Sequence, residues 1–314
     1  MEQDMIYIDA ICREGSFSRA AKKLYVTQPA LSAAVKRVEA AIGESIFDRA
    51  RHPPVLTEAG RIYVEQIRKI AALERETAIQ IDELSHMQRG KLCLGATTYF
   101  NACVLPPVLK RFSDLYPNIE IQLLEKNSAQ LIQHLTEGDT DVIFNCQEND
   151  QTLFDSQEVF QDYLLLAVPA FWTRGLELDA CALDADMVAR RRYLDPKFPC
   201  APLEKFSQLP FLLLTEGNNL TQRVRALFQQ AGCQPMVKMS VEQLMTAYHL
   251  SCAGLGAVFV SAQIVLSGRA QDMAYYKIGS PLIIRRFQAV TPKARYVPRA
   301  VKELIRIMRG HYME

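Results

Sequence analysis

Residues 15–32 read G-S-F-S-R-A-A-K-K-L-Y-V-T-Q-P-A-L-S, followed by K-R-V-E-A-A-I-G at 36–43, I-F-D-R at 46–49 and L-T-E-A-G at 56–60. The spacing predicts two short helices joined by a tight turn, then a loop that returns to a long helix. Gly15 suits the end of a first helix, because glycine accepts positive φ at low cost. Ser16 and Ser18 are N-cap residues for a second helix reaching about Leu24. Ala20 and Ala21 have minimal side chains and let a neighbouring helix pack close. Thr27 caps a third helix, with Pro29 in its first turn, where a missing N–H matters little. Leu31, Val35, Val38 and Ile42 recur at i, i+4, i+7 and i+11 and make one buried stripe. Gln28, Ser32, Ala33, Lys36 and Arg37 lie on the other side and face outward.

Those outward residue types suit DNA. Glutamine bonds adenine edges, serine either kind of base edge, and lysine and arginine bond phosphates or guanine. The N-terminal end of a recognition helix is the part that reaches base edges. Periodicity alone leaves a second reading open, a three-helix bundle with a solvated polar face.

The particular string narrows the choice. It resembles the N-terminal domain of LysR-type transcriptional regulators, whose pattern is Gly-Ser-Phe-(Ser/Thr)-x-Ala-Ala-x-x-Leu, then Ser/Thr-Gln-Pro-Ala-Leu-Ser, Leu-Glu, Leu-Phe-x-Arg and Leu-Thr-x-Ala-Gly. These match Gly15 to Leu24, Thr27 to Ser32, Val38-Glu39, Ile46 to Arg49 and Leu56 to Gly60. Several anchors at fixed spacing are a far stronger signal than one short motif. The resemblance implies an all-α winged helix-turn-helix over residues 1–57. It also implies contacts to double-stranded operator DNA from Ser16, Ser18, Thr27, Gln28, Pro29, Ser32, Ala33, Lys36, Arg37, Arg49 and Arg51. The family often has Arg or Lys where this chain has Ala33, so a base or phosphate contact is missing there.

Charge is a weaker signal. Lys plus Arg balance Asp plus Glu over residues 1–60, but from Ser16 to His52 basic residues outnumber acidic ones by seven to three. A local basic patch follows rather than a strongly basic domain. The acids at 2, 4, 9 and 14 fall on the first helix, which is expected to face away from DNA. Arg49, Arg51 and His52 precede Pro53-Pro54 in the expected wing, where arginines enter a minor groove or touch phosphates.

The whole chain of 314 residues, 49% hydrophobic and 23% charged, has a net charge of +1 and reads as a two-domain globular protein. No apolar run approaches the roughly 20 residues that span a bilayer, so no membrane association is expected. The acidic N-terminus lacks the pattern of a signal peptide, which points to the cytoplasm. The eight cysteines contain no CxxC pair and most fall in apolar patterns, as packed, reduced thiols do. The five histidines show no HExxH or clustered spacing, and no GxSxG, P-loop or GxGxxG is present. No metal, no cofactor and no enzymatic activity are therefore expected. Cys181 and Cys200 lie in an unusually long link, 171–206, and are the thiols to consider for redox sensing.

Thr57 opens a long helix, 58–89, with Tyr63, Ile67, Ile70, Ile81 and Leu84 in an a/d-like register. In the resembling family this helix links the two domains and forms the dimer contact. Residues 90–314 then alternate strand and helix twice. They predict two α/β lobes, about 91–162 plus a C-terminal return and about 168–280. The motifs L-P-P-V-L-K-R-F, Y-P-N-I-E-I and A-G-L-G-A-V-F-V resemble the family's bilobal, periplasmic-binding-protein-like effector domain, although that family often has Pro where this chain has Ser261.

In open α/β lobes ligands sit at the carboxyl ends of strands, near helix N-termini. Here those ends carry Thr97, Thr98, Tyr99, Phe100 and Asn101, then Asn127, Ser128 and Asn145, then Thr215, Glu216, Asn218 and Val241. The free N–H groups of helix N-termini suit a small carboxylate, whereas Glu216 would favour an amine. The resemblance implies effector contacts from the segments at 97–101 and 127–128. The expected protein is a homo-oligomeric regulator, dimer or tetramer, with operator DNA, a small-molecule effector and RNA polymerase as candidate partners. The rival readings are a solute-binding protein or an enzyme on the bilobal fold, and a thiol sensor.

Overall fold

In the computed structural model, residues 3–48, 53–83, 90–216, 218–268, 270 and 272–313 are described. They fall into two units, Met1–His86 and Met87–Glu314. The first begins with α1 (Gln3–Glu14), α2 (Phe17–Lys23) and α3 (Gln28–Ile42). Each later helix starts where its cap stands. The Ser16 side chain accepts the Arg19 N–H and Thr27 accepts that of Ala30. Gly43, at φ +77°, closes α3 in the left-handed conformation. The turn between α2 and α3 passes through Tyr25 at φ +55°, and its ring is fully exposed.

Two short strands, β1 (Phe47–Asp48) and β2 (Val55–Leu56), pair antiparallel as the base of the wing. The long helix α4 (Glu58–Glu83) follows. Ile8, Ile11, Ala20, Leu31, Val35, Ile46, Phe47, Val64 and Ile67 form one core beneath them. Two expectations need correction. Ile42 is 39% exposed, because the last turn of α3 runs past the small core, and Ala34 is buried instead. On α4, Ile67 is buried in the core and Tyr63 packs against it, whereas Ile70 and Ile81 are exposed together with Ile62 and Leu73. The expected helix end, residues 84–89, lies outside the described residues.

The second unit opens with β3 (Gly90–Ala96), α5 (Thr98–Cys103), α6 (Leu105–Leu115), β4 (Ile119–Glu125), α7 (Ser128–Glu137) and β5 (Val142–Asn145). Two helices meet here at Val104. Pro106 and Pro107 lack N–H groups, so the helix breaks before them and restarts with proline in its first turn. β6 (Phe154–Pro169) then runs for 16 residues, polar in its first half and apolar in its second.

After β6 come β7 (Ala182–Leu183), α8 (Ala185–Ala189), β8 (Pro210–Leu214), α9 (Asn219–Gln230), β9 (Met236–Val241) and α10 (Leu244–Cys252). The chain continues through β10 (Val258–Ser261), α11 (Ala262–Ser267), β11 (Met273–Tyr276), β12 (Ile284–Pro292) and α12 (Arg299–Tyr312). The 171–206 segment is folded. It carries β7 and α8 and buries Leu183, Val188, Tyr193 and Phe206 in the main core.

β6 belongs to both lobes. Residues 154–163 pair with β12, which also pairs with β5, giving the order β4-β3-β5-β12-β6. Residues 164–169 pair with β10 on one side and β11 on the other. The parallel pair β8–β9 joins β10 through the Phe211–Ala257 bridge. The C-terminal strand thus returns to the first lobe, as expected, and one strand crosses the boundary between lobes. No described helix is long and apolar enough to cross a membrane.

Candidate functional site

The polar face of α3 is open to solvent. Gln28, Pro29, Ala33, Lys36 and Arg37 are exposed and Ser32 is half-buried. Gln28, Ser32 and Lys36 follow one another every four residues, so they share a face. Lys36 has no ion-pair partner among the described residues. Ser18, inside α2 rather than at its cap, donates to Gln28 Oε1 at 3.0 Å and holds that amide at the start of α3. Ser16 and Thr27 are engaged as helix caps. Arg49, Arg51 and the neighbouring His52 lie outside the described residues.

The acids of α1 do not stand apart from this face. Asp4 takes two hydrogen bonds from Arg37, 2.6 and 3.1 Å long. Glu14 pairs with Lys23 at 2.6 Å, and Asp9 pairs with Arg13 and Arg68. The unit is a small bundle, so the flanks of α1 reach α2, α3 and α4 at once. The hydrogen bond and charge of Asp4 raise the Arg37 pKa, and Lys23 lowers that of Glu14.

The second unit holds a cleft of about 870 Å3 between its lobes. The N-terminal residues of α7, α9 and α10 line it, so free backbone N–H groups border the space from both lobes. Of the residues expected there, Thr97, Thr98, Tyr99, Asn127, Ser128, Asn145, Thr215, Glu216 and Asn218 line it. Several are already engaged. Asn127 and Asn218 cap α7 and α9, Thr98 donates to Glu125 at 2.6 Å, and Asn145 exchanges hydrogen bonds with Asn149. Glu216 is paired with Arg225 at 2.5 Å, which screens its charge.

Three expected residues do not line the cleft. Phe100 is fully buried and stacks on Phe144, with ring centroids 5.0 Å apart. Asn101 is turned away on α5, and its buried Oδ1 has no hydrogen-bond partner. Val241 contributes its carbonyl to the Thr215 N–H.

Sequence reasoning missed the floor of the cleft. Arg285 and Phe287 line it from β12, with Cys146 and Asn219 nearby. The Arg285 side chain is only 7% exposed and pairs with Asp162, its Nε donating at 2.8 Å. Its guanidinium carbon sits 5.1 Å from the Tyr99 ring centroid and 5.3 Å from that of Phe287. Asp162 also accepts from the Tyr99 hydroxyl at 3.0 Å and from Ser261. Burial opposes the Arg285 charge, but Asp162 beside it holds the guanidinium pKa above its usual value. Burial, reinforced by Asp162, raises that of Tyr99. The signal was an Arg-Arg pair inside an apolar run at 283–290, where alternation turns one arginine inward.

Away from the cleft, His134, Glu137 and Asp139 bring ligand atoms within 4.8 Å of one another, and His134 Nδ1 lies 2.9 Å from Asp139.

Comparisons with known proteins cover both units. A family profile described as "Bacterial regulatory helix-turn-helix protein, lysR family" matches residues 3–61. A second, "LysR substrate binding domain", matches residues 85–183 and 180–312. The chain is 34% identical over 303 residues to a probable RuBisCO transcriptional regulator of Cyanidioschyzon merolae, covering 93% of this chain and 91% of that one. It is 28% identical over 306 residues to YcgK, an uncharacterized HTH-type transcriptional regulator of Bacillus subtilis, covering 97% and 93%. Among solved structures it shares the fold of full-length CbnR complexed with its target DNA, with a TM-score of 0.67, 21% identity and 99% of each chain covered. A full-length OxyR variant from Pseudomonas aeruginosa superposes with a TM-score of 0.66 at 22% identity, covering 98% of this chain and 96% of that one.

Proposed function

The chain belongs to the LysR family of helix-turn-helix transcriptional regulators, and from that premise we propose how its two units divide the work. The face of α3 carrying Gln28, Ser32 and Lys36 reads operator DNA. The interlobe cleft takes the small-molecule effector. The observation that carries the DNA reading is the exposed, unpaired Lys36 one and two turns beyond Ser32 and Gln28 on a capped helix. Its ammonium suits a phosphate, and the Gln28 amide, positioned by Ser18, suits an adenine edge.

A homo-oligomer follows from α4. Ile62, Ile70, Leu73 and Ile81 are exposed and, at 3.6 residues per turn, fall within an arc of about 100°. A second copy of the helix covers such a stripe. Two-fold pairing then presents two recognition helices to half-sites about 34 Å apart. The protein acts where that DNA is, in the cytoplasm.

For the effector, the lining best supports a small carboxylate. Three helix N-termini and the Arg285 guanidinium offer donors to it, and Arg285 Nη1 has no partner among the described residues. Glu125 and Glu242, on the same lining, support a second reading, an amine. An effector acts by binding two states of the regulatory unit with different affinity.

An electrophoretic shift with the protein's own upstream DNA tests the central reading. Binding by the native chain and its loss in the triple variant Gln28→Ala, Ser32→Ala, Lys36→Ala are expected. Undiminished binding by that variant rules out the α3 face. A thermal-shift panel of small carboxylates and amines against the full chain separates the two effector readings.

A further inference from the structure

Two cysteines of the 171–206 segment come together at the outer edge of the second lobe. β7 runs antiparallel to β11, with Ala182 opposite Tyr276, and Cys181 is the next residue along that edge. Ala201 takes up the continuation of the same strand. It bridges Ile278 in parallel, and its N–H donates to the Lys277 carbonyl at 2.7 Å. The ends of these two segments abut, and the Cys181 thiol donates to the Cys200 carbonyl oxygen 3.7 Å away. Cys200 is exposed, whereas Cys181 is half-buried against the core. Gly279 lies beside them. A β-carbon there would stand 3.4 Å from Cys200 Cβ and 3.6 Å from its sulfur, both ordinary contact distances, so Gly279 borders the Cys200 side chain directly.

We propose that Cys181 and Cys200 are a reversible thiol–disulfide pair, in which exposed Cys200 reacts first and Cys181 resolves the product. Backbone distance is what forbids most cysteine pairs. Here the Cys181 sulfur already lies 3.7 Å from the Cys200 carbonyl oxygen, so the two residues are neighbours in space although 19 apart in sequence.

The oxidant is a low-molecular-weight disulfide such as oxidised glutathione. The Cys200 thiolate, its proton released to solvent, attacks one sulfur of that disulfide. The small S–S bond breaks, one glutathione leaves as thiolate, and Cys200 carries the other half. Cys181, deprotonated in turn, attacks the Cys200 sulfur, and the second glutathione thiolate departs. Two protein thiols are oxidised to one disulfide while one small disulfide is reduced to two thiols.

The other thiols are poorly placed to compete. Burial pushes the Cys12 pKa up to about 12 and raises those of Cys103, Cys146, Cys233 and Cys252, which leaves little thiolate. The bond closes residues 181–200 into a loop that contains α8, and α8 packs on α11.

The test is to incubate the full chain with oxidised glutathione and map its peptides by mass spectrometry without reduction. The expected product is a Cys181–Cys200 linked peptide pair, lighter by two hydrogens than its components, with loss of two titratable thiols and full reversal by dithiothreitol. In Cys181→Ser the glutathione adduct at Cys200 accumulates, because its resolving thiol is gone. In Cys200→Ser neither adduct nor link forms. A glutathione adduct that persists on Cys200 in the unsubstituted chain overturns the proposal. So does a link from Cys200 to any other cysteine, or unmodified thiols at both positions when the urea-unfolded chain reacts fully.

Discussion

The Tyr99 hydroxyl lies 2.7 Å from the Ser261 hydroxyl, joining the first helix of one lobe to the end of a strand in the other. Both hydroxyls also lie within hydrogen-bond distance of Asp162 on β6, the strand the lobes share, so one donates to the carboxylate directly and the other donates either to it or to its neighbour. Ser261 in addition caps α11, accepting from Gln263 N–H at 3.0 Å. Ser261→Ala removes the cap and leaves Asp162 and Tyr99 each short of a partner. A loss of about 2–3 kcal/mol is expected, measured by urea unfolding of the full chain. A loss below about 0.5 kcal/mol would mean that water replaces the hydroxyl at no penalty.

Gly60 tests the joint between wing and long helix. A β-carbon on it would stand 2.1 Å from the Ile46 carbonyl oxygen, and that oxygen already accepts the Thr57 N–H at 3.0 Å. The obstacle is backbone, so it cannot swing aside. Gly60→Ala is expected to destabilise the first unit by about 3 kcal/mol and to abolish operator binding. Unchanged melting would show that α4 tilts freely on the wing.

Arg37 is expected to gain a role when Asp4 is neutralised. In the structure Asp4 occupies two of its donors. Asp4→Asn frees the guanidinium beside the recognition face. Stability hardly changes, because the pair is exposed, but DNA affinity rises. The slope of log affinity against log salt steepens by about one released ion. Filter binding across a salt series reads this directly, and an unaltered slope would place Arg37 out of reach of the phosphates.

Alkaline pH reports on the packing of α12. The Tyr312 hydroxyl donates to the Val104 carbonyl at 2.7 Å, and burial lifts its pKa from 10.0 to about 12. A raised pKa contributes stability that is fully present below the unfolded value and is lost as pH climbs through the folded one. Tyr193 and Tyr275 are lifted to about 12 by burial as well. The urea midpoint is therefore expected to hold up to about pH 10 and fall between about 10 and 12. Tyr312→Phe makes that fall shallower, and an identical pH profile for the variant would remove Tyr312 from the effect.

The parts of the fold that were legible are those fixed by neighbours in sequence. Ser16 and Thr27 cap helices within three residues of themselves, and the alternation of strand and helix from Lys91 to Val260 sets up each α/β layer locally. Ile42 misled because periodicity says which side of a helix it occupies but not where the small core stops. β6 was half hidden. Its first half carries Asp155, Ser156, Gln157 and Glu158 and becomes a strand only by pairing with β12. The same distance concealed Arg285, which reaches the cleft from a strand more than a hundred residues beyond Asp162.

The position of β12 between β5 and β6 carries a consequence for biogenesis. As the polypeptide leaves the ribosome, the first lobe has a gap in its sheet until residue 292 has been made. In that interval β5 offers an unpaired edge, which is a template for pairing with other nascent chains. The second lobe meanwhile has almost all of its own strands in hand. It is expected to fold first, with the earlier-translated lobe waiting on the later residues to finish it.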